Sequence, residues 1–487
     1  MTQDDYAGNE LPGFDMRGFT VADKTSAYDR EGDDDADDAD VAPAATGDVK
    51  TGGAGVDAAA DAADATDSDD TDAVAVADED PDDVDDDADD ADDDDDDDDD
   101  AAAGDAKAGK GRKGVLFKSP KNAVKVQTPA LFSPIKLRGL TVRNRVWLPP
   151  MDTYSAFDRD GKPTPFHYQH YVSRAVGGFG LVCFEATAVS PEGRISPCDL
   201  GLWDDDQIGA YQWIVRGIKD AGAAAAIQLN HAGRKGSTGC FAVGVNGETV
   251  PQSEGGWQTV APSPIAFGRQ AEPRELSVDE IHGIVAQFRA AAIRAVAAGF
   301  DVVEIHAAHG YLLSEFLDPL SNTRTDEYGG SLENRMRMLV EVADAIRGAI
   351  PSAMPLFVRI SATDWAAGGW DLNQTIETAR VLRDHGVDLV DVSTGGMLPG
   401  VAVPVKPNYQ VPFSANVRSK ALVPTTAVGL ITKPKQADRI VRKGEADAVQ
   451  IGRAALRDPY WPLRAAAKLG VKTAKAPYQP QYLRGAF

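Results

Sequence analysis

Eight short apolar runs recur along the chain between residues 129 and 487, and most are followed by a stretch with helical spacing. Short apolar runs bounded by glycine, proline or polar residues are typical of buried strands. The eight runs cover residues 145–151, 181–190, 223–231, 301–306, 355–363, 389–395, 425–431 and 448–452. Among the helical patterns between them are residues 281–298, preceded by the N-cap candidate Ser277, and residues 332–349.

This alternation predicts a parallel sheet whose strands are joined by helices. Eight units favour a closed (β/α)8 TIM barrel, which typically needs about 250 residues, so the longer span of residues 129–487 implies loop insertions. The alternative is a doubly wound open sheet, but no Gly-x-Gly-x-x-Gly opens a helix after the first strand. We therefore predict the barrel.

Charge separates this barrel from the segment before it. Residues 1–128 hold 41 Asp and Glu against 11 Lys and Arg, whereas the whole chain has 76 and 49, so 35 acidic and 38 basic residues remain in the barrel. We predict that residues 1–106 are disordered, because this acidic low-complexity segment has few apolar groups to offset chain entropy. Residues 107–128 are interpreted as a basic linker without the aromatic interleaving of nucleic-acid-binding surfaces.

The remaining composition favours a cytoplasmic protein. The sequence has neither an N-terminal apolar h-region nor an 18-residue apolar run, so neither export nor membrane spanning is predicted. The three cysteines, Cys183, Cys198 and Cys240, suggest neither a disulfide framework nor iron–sulfur spacing. We expect them to be reduced thiols in a reducing compartment.

The densest candidate chemistry lies in residues 301–337. The first six of these residues alternate between apolar and polar, which predicts a strand with a polar face toward a lumen. A turn at Gly310 would bring His306, His309 and Tyr311 together at the mouth of that strand. Two neutral imidazoles can hold a carbonyl or phenolate oxygen while a tyrosine delivers a proton. His-x-x-His is also a metal half-site, but no other ligand cluster completes it, so no metal is predicted.

Polar residues also lie at the C-terminal ends of other predicted strands, where TIM barrels build their active sites. Gln228 and Arg359 fall on the lumen side of the third and fifth strands. Gly429 follows the seventh strand, and Gly452 and Arg453 follow the eighth. Glycines there let backbone N–H groups approach a phosphate, the next helix N-terminus favours its charge, and an arginine can bind it in a bidentate manner.

Three segments resemble the Old Yellow Enzyme family: HAAHGYLLSEFLDPLSNTRTDEYGGSLENR, SRAVGGFGLVCFEATAVSPEGRIS and QLNHAGRKGS. The resemblance, which covers residues 130–487, implies an FMN-dependent ene-reductase. Such an enzyme moves hydride from NADPH or NADH, through the flavin, to the C=C bond of an α,β-unsaturated carbonyl compound. The terminal Gln-Tyr-Leu-Arg-Gly is similar to a bacterial branch whose arginine, here Arg484, reaches into a neighbouring subunit's site. That similarity implies a homo-oligomer, a dimer or tetramer.

The resemblance also implies roles for individual positions. Tyr311 would be the proton donor, His306 and His309 would bind the activating oxygen of the substrate, and Tyr154 would contact the substrate. Residues implied to contact FMN or its phosphate are Pro149, Pro150, Met151, Asp152, Ala186, Gln228, Arg359, Gly452 and Arg453.

Asp152 departs from the family, which usually has Thr or Cys there, close to the flavin. An ionised carboxylate would disfavour reduced flavin, whereas burial would leave a neutral carboxyl able to donate a hydrogen bond, and we predict the neutral form. A second departure is the insertion at residues 236–259, expected to reshape the entrance or only to decorate it. Two alternatives stay open: a flavin-dependent dehydrogenase with Asp152 as base, and a non-catalytic interaction protein acting through its acidic leader.

Overall fold

The computed structural model of the chain describes residues 128–240 and 248–487. The predictions of a disordered acidic segment over residues 1–106 and of a basic linker over residues 107–128 lie outside the described residues, apart from residue 128 itself. Residues 241–247, within the predicted insertion, also lie outside them.

The described residues alternate between strands and helices as the apolar pattern predicts. The strands are β1 (Ile135–Leu137), β2 (Leu140–Val142), β3 (Val146–Leu148), β4 (Leu181–Ala188), β5 (Ala224–Asn230), β6 (Val260–Ala261), β7 (Arg274–Glu275), β8 (Val302–Ala307), β9 (Leu356–Ser361), β10 (Leu389–Ser393), β11 (Thr425–Ala427) and β12 (Ala448–Gln450). The helices are α1 (Pro165–Val176), α2 (Ile208–Asp220), α3 (Val278–Ala298), α4 (Leu312–Leu317), α5 (Leu332–Arg347), α6 (Leu372–Asp384), α7 (Val411–Ala421), α8 (Pro434–Arg442), α9 (Arg453–Arg457) and α10 (Trp461–Lys468).

Eight of these strands close into a parallel barrel in the order β3-β4-β5-β8-β9-β10-β11-β12, with β12 pairing back to β3. This confirms the predicted (β/α)8 TIM barrel. Each predicted run corresponds to one barrel strand, and every strand except β8, which ends at Ala307, ends earlier than its apolar run. The seventh, for example, ends at Ala427 although the run continues to residue 431. The reason is that the loops at this end of the barrel are themselves buried, so apolar side chains continue past the last ladder hydrogen bond.

Local signals set the helix ends. The Oγ of Ser277 accepts a hydrogen bond from the Glu280 N–H, and the Glu280 carboxylate accepts one from the Ser277 N–H, so α3 begins with a capping box. The same helix ends at Gly299, whose φ of 92° is a left-handed cap that glycine adopts without strain. The helix predicted over residues 281–298 therefore begins three residues earlier, at the cap.

The N-terminal hairpin of β1 and β2 supports the barrel from below. Ile135, Leu137 and Val142 pack into one apolar cluster with residues from the first halves of the barrel strands. Within that cluster the rings of Trp147 and Phe357 stack with centroids 6.0 Å apart. This end of the barrel is thus closed by apolar packing, which leaves the C-terminal ends of the strands for a site.

The cysteines overturn one expectation. Cys198 and Cys240 form a disulfide bond that joins the loop after β4 to the start of the insertion, while Cys183 is a buried thiol. The prediction of three reduced thiols is wrong, and it no longer supports a reducing compartment. A sequence separation of 42 residues hid the contact. The Thr238 N–H donates to Ile195 O at 2.8 Å, so the fold brings these two loops together.

Two further expectations concern features outside the barrel core. In the described part of the chain, no helix is both long enough and apolar enough to cross a membrane. Within the same residues, no three His, Cys, Asp or Glu side chains come together in a way that would hold a metal ion.

We predict that the disulfide stabilises the barrel mouth. Closing a loop of 42 residues in the unfolded chain corresponds to about 4 kcal/mol in the chain-entropy model. Cys240→Ser should therefore lower the melting temperature by several degrees, and dithiothreitol should lower that of the wild type to a similar value. Calorimetry with and without reductant checks this. Cys183→Ala is the control, because it should keep the sensitivity to reductant, and a wild-type melting temperature indifferent to reductant would contradict the prediction.

Candidate active site

Three aromatic side chains meet at the end of β8. His306 lies within the strand and His309 lies two residues beyond its end, yet their ring centroids are 5.2 Å apart in an edge-to-face arrangement. The ring of Tyr311 lies 5.0 Å from that of His306. Two consecutive residues in the left-handed conformation produce this convergence, since His309 has a φ of 61° and Gly310 a φ of 72°. On a continued strand the two imidazoles would lie on opposite faces.

Neighbouring strands hold this turn in place. The His309 N–H donates to Ser361 Oγ at 2.9 Å, and His309 Nε2 lies 2.8 Å from Ser393 Oγ. These serines end β9 and β10. Gly310 is required here, because a Cβ added to it would lie 2.3 Å from the carbonyl oxygen of Gly396.

The imidazoles and the phenol are held in their neutral forms. Burial lowers the pKa of His306 well below its usual value, and His309, Arg359 and Lys235 lower it further. Burial, Arg359 and Lys235 act in the same direction on the pKa of His309. Burial raises the pKa of Tyr311, and the nearby Asp152 carboxyl raises it more. The site therefore offers neutral imidazole N–H groups and a protonated phenol.

Tyr154 lies close to this group. Tyr154 and Tyr311 both pack against one small apolar cluster formed by Ala186, Ile195 and Ala232 at the ends of β4 and β5. Tyr154 has a φ of 52°, a left-handed conformation that is uncommon for a residue with a side chain. Its unusual backbone conformation places the phenol beside the β8 tip.

A cavity of about 210 Å³ opens beside these residues, at the ends of β3, β9, β11 and β12. It brings together seven of the ten residues that the sequence points to for a cofactor: Pro149, Pro150, Met151, Arg359, Gly429, Gly452 and Arg453. Tyr409, Gln410 and Gln450 also line it and were not foreseen.

The three other predicted cofactor residues lie on adjoining strands. The Ala186 N–H donates to Asp152 Oδ1 at 3.1 Å, so β3 and β4 are tied together directly after the first strand ends. Gln228 on β5 donates through Nε2 to Glu304 Oε1 at 2.8 Å. All ten residues thus belong to the same end of the barrel.

Charged and amide side chains fill the barrel interior under the cavity. Arg359 Nε lies 3.2 Å from Asp391 Oδ2, and both side chains are buried. Gln450 Nε2 donates to the same carboxylate oxygen at 3.0 Å. Burial and the nearby Asp391 raise the pKa of Glu304 to about 8, although Arg359 and Gln228 oppose this. The positive charge of Arg359 thus compensates the buried acidic side chains Asp391 and Glu304.

The residues of the cavity fit FMN. Gly452 leaves open space, since a Cβ there would find nothing nearer than Met151 Sδ at 3.7 Å. Arg453 is exposed at the cavity edge and forms no ion pair with any described residue. Gln450 Oε1 and His306 Nδ1 are buried without a hydrogen-bond partner among the described residues. Unpaired buried polar atoms are expected where a polar ligand binds.

The helix N-terminus predicted to favour a phosphate after β12 is weaker than the sequence suggested. The helix after β12 is α9, which has five residues and begins at Arg453 itself. A helix this short contributes little dipole, so the backbone around Gly452 and the guanidinium of Arg453 are the groups suited to an anion there.

The surroundings of Asp152 raise the pKa of its carboxyl. Burial raises its pKa well above the usual value, and the nearby carboxyls of Asp199 and Glu185 raise it further. The Ala186 N–H and Arg359 oppose the shift without reversing it. Its surroundings therefore favour the neutral carboxyl.

Arg484 is the predicted site residue that the fold leaves apart from the others. It is exposed in the 3-10 helix Pro480–Gly485 at the end of the chain. Sequence reasoning also missed Lys235, whose ammonium contacts the β8 tip, and the lumen residues Asp391 and Ser393. Their alternation along β10 was a usable signal, because it places both on the same face as the lumen residues of β9.

A parallel (β/α)8 barrel with a cavity, an arginine at the cavity edge and paired imidazoles, all at its C-terminal end, is typical of a flavin-dependent oxidoreductase. A family model described as the NADH:flavin oxidoreductase / NADH oxidase family matches residues 130–471. The chain belongs to this family. It is therefore an FMN-dependent oxidoreductase of the Old Yellow Enzyme type with NADH or NADPH as hydride donor.

Individual relatives agree. The NADPH dehydrogenase of Geobacillus thermodenitrificans is 48% identical over 356 residues, which is 73% of this chain and 98% of that protein. The NADPH dehydrogenase of Bacillus subtilis is 44% identical with the same coverage of 73% and 98%. The solved structure of morphinone reductase in complex with tetrahydroNAD is 29% identical with a TM-score of 0.58, covering 73% of this chain and 94% of that one.

The raised pKa of Asp152 predicts how the flavin responds to pH. Because the pKa of the carboxyl is raised, Asp152→Asn should change the flavin midpoint potential little at the acidic end of the pH range, where the wild-type carboxyl is neutral. Above the raised pKa the wild type gains a negative charge, so its potential should fall below that of Asp152→Asn. Spectroelectrochemistry across pH checks this, with turnover of Asp152→Cys as a comparison. If potential and turnover depend on pH in the same way in the wild type and in both variants, Asp152 has no part in the mechanism.

Proposed function

We propose that this enzyme is an ene-reductase that saturates the C=C bond of α,β-unsaturated carbonyl compounds. The observation that carries the proposal is the pair of neutral imidazoles 5.2 Å apart with a protonated tyrosine 5.0 Å from one of them. Two N–H donors suit a carbonyl oxygen that gains negative charge, and a phenol suits delivery of one proton beside it.

The residues around the cavity are proposed to hold FMN. When bound, FMN supplies the two-electron chemistry that no protein side chain can supply. Arg359 is buried among lumen acids and offers its guanidinium to the electron-rich edge of the ring, while Gly429, Gly452 and Arg453 suit the phosphate. The ring would rest on the remaining predicted residues, which are Pro149, Pro150, Met151, Asp152, Ala186 and Gln228.

His306, His309 and Tyr311 are proposed to act on the substrate. The imidazoles donate hydrogen bonds to the carbonyl oxygen, which orients the enone and withdraws electron density from its β-carbon. Tyr311 gives its proton to the α-carbon, and Tyr154 contacts the substrate from the wall that it shares with Tyr311. Positioning and oxygen polarisation are the protein's contribution.

NADPH is the proposed donor, because the relatives with nearly full-length matches are NADPH dehydrogenases. We also propose a homo-oligomer in which Arg484 completes the site of a neighbouring subunit. Two observations support it: Arg484 is exposed, and the apolar side chains near it, Tyr482 and Phe487, are about half exposed. The dimer or tetramer follows from the resemblance of the C-terminal segment.

A dehydrogenase that oxidises its substrate with Asp152 as base is the alternative. The carboxyl at position 152 favours it, but its raised pKa favours the protonated form, and a protonated carboxyl is no base. The third hypothesis, a non-catalytic interaction protein, is wrong because the chain is an oxidoreductase of this family.

Anaerobic titration tests the proposed reaction. The purified yellow protein should bleach on addition of NADPH and regain its colour with cyclohexenone, and product analysis should show cyclohexanone. A protein that NADPH does not bleach would favour the dehydrogenase. Bleaching without re-oxidation by cyclohexenone would exclude simple enones as substrates.

Tyr311→Phe should separate the two half-reactions. Removing the general acid is expected to slow re-oxidation by cyclohexenone by about 10² or more, while reduction by NADPH stays within about twofold, because that step needs no proton from Tyr311. Stopped-flow absorbance of the flavin measures both rates. Tyr168→Phe is the control, since this tyrosine stacks on Trp213 outside the site. Equal loss in both half-reactions would contradict the role assigned to Tyr311.

A further inference from the structure

We propose that Lys235 is a positioning residue whose ammonium group fixes the tip of β8, and with it the oxygen-binding pair and Tyr311. The inference rests on the proposed function, because it concerns the groups that bind the substrate oxygen. It assigns a task to a residue in the loop after β5, whose ammonium binds backbone carbonyl groups.

Lys235 ties two loops together through backbone carbonyls. It lies in the 3-10 turn Gly233–Lys235 after β5. Its Nζ donates to the carbonyl oxygen of His309 at 2.8 Å and to that of Gly396, in the loop after β10. One cation thus bridges three neighbouring segments of the barrel mouth, those after β5, β8 and β10.

The geometry of the tip explains why a cation is needed. His309 and Gly396 both have a positive φ, 61° and 92°, and their backbones touch, since a Cβ on Gly396 would lie 2.6 Å from the Cα of His309. The close approach directs both carbonyl oxygens toward one point, where their partial negative charges repel. An ammonium between them offsets this repulsion, and a residue with a side chain held at positive φ persists only when its surroundings fix it.

The same ammonium faces the proton donor. Lys235 Nζ lies 4.1 Å from the ring centroid of Phe267 and 5.5 Å from that of Tyr311. A cation over a phenol stabilises the negative charge that appears on the ring when its proton leaves. Lys235 therefore acts through backbone position on His309 and through charge on Tyr311.

Lys235 is charged at neutral pH but close to losing its proton. Burial and, to a lesser degree, Arg234 lower its pKa to about 8, while Glu315 opposes the shift. The other titratable groups that face it are Tyr311, His306 and His309, all of which are neutral. Because the folded pKa is depressed, the protonated tie is lost as the pH rises through about 8.

The chain offers a matched control. Lys219, near the end of α2, donates through Nζ to the carbonyl oxygen of Gly299 at 3.0 Å and to Asp301 at 2.7 Å. It therefore makes the same kind of tie between elements, but away from the cavity. Lys219→Met, like Lys235→Met, removes two hydrogen bonds of an ammonium that ties two elements together, so it controls for the loss of such a tie away from the cavity.

The experiment compares Lys235→Met, Lys235→Arg and Lys219→Met as purified holoenzymes. The first readout is binding of 4-nitrophenol, whose phenolate oxygen reports on the imidazole pair through its own absorbance and requires no turnover. The second is the rate of each half-reaction, with NADPH and with cyclohexenone. The third is the pH profile of re-oxidation.

Lys235→Met should weaken 4-nitrophenol binding and slow re-oxidation by about tenfold or more each, because a small misplacement of reacting groups is costly, while reduction by NADPH changes little. Lys235→Arg should restore most of both losses and move the high-pH decline of the wild type, expected near pH 8, to higher pH. Lys219→Met should match the wild type in all of these readouts. If Lys235→Met does not fold, Lys235→Gln, which keeps two donors without the charge, takes its place.

The outcomes separate the two levels of the proposal. If the wild type neither binds 4-nitrophenol nor reduces cyclohexenone, the proposed function fails. If the wild type does both and Lys235→Met behaves like it, or like Lys219→Met, the positioning role is overturned. If Lys235→Arg restores neither 4-nitrophenol binding nor the rate of re-oxidation, the proposal that a positive charge holds the β8 tip is overturned.

Discussion

The site depends on one piece of backbone, the left-handed turn at His309 and Gly310 that ends β8. Without it the two imidazoles would lie on opposite faces of a strand, because side chains alternate along it. The turn is not stable by itself, since a residue with a side chain at positive φ costs free energy. It persists because Ser361, Ser393 and the backbone at Gly396 surround it, so the neighbouring strands β9 and β10 are part of the catalytic geometry.

The polar interior of the barrel follows from the same requirement. A flavin needs a cation near its electron-rich edge, and a buried cation needs partners. Arg359 is balanced by Asp391, which in turn accepts a hydrogen bond from Gln450. The lower half of the barrel, filled by Trp147, Phe357 and other apolar residues, supplies the hydrophobic stabilisation that lets the upper half remain polar. Function and stability therefore occupy opposite ends of the same strands.

Much of the fold and part of the site could be predicted because their signals are local. Strand and helix periods, the capping box at Ser277 and the polar face of β8 are each contained in a few consecutive residues. The predicted strand ends were too long, since burial of the loops extended the apolar pattern beyond Ala427. Asp391 and Ser393 carried a readable alternation and were missed, whereas Lys235 carried none, because its partners are carbonyl groups that every residue has.

By itself, the sequence determined the eight-fold alternation, the charge division between leader and barrel, and the residue types gathered at the strand ends, since all of these depend on spacing and composition. Only the tertiary structure decided that Cys198 meets Cys240, that Lys235 joins two carbonyl groups, and that burial and neighbouring acids raise the pKa of Asp152. These contacts join residues far apart in the chain. They depend on how loops from different strands meet at the barrel mouth, and a pattern of neighbouring residues carries no information on which distant loops will meet.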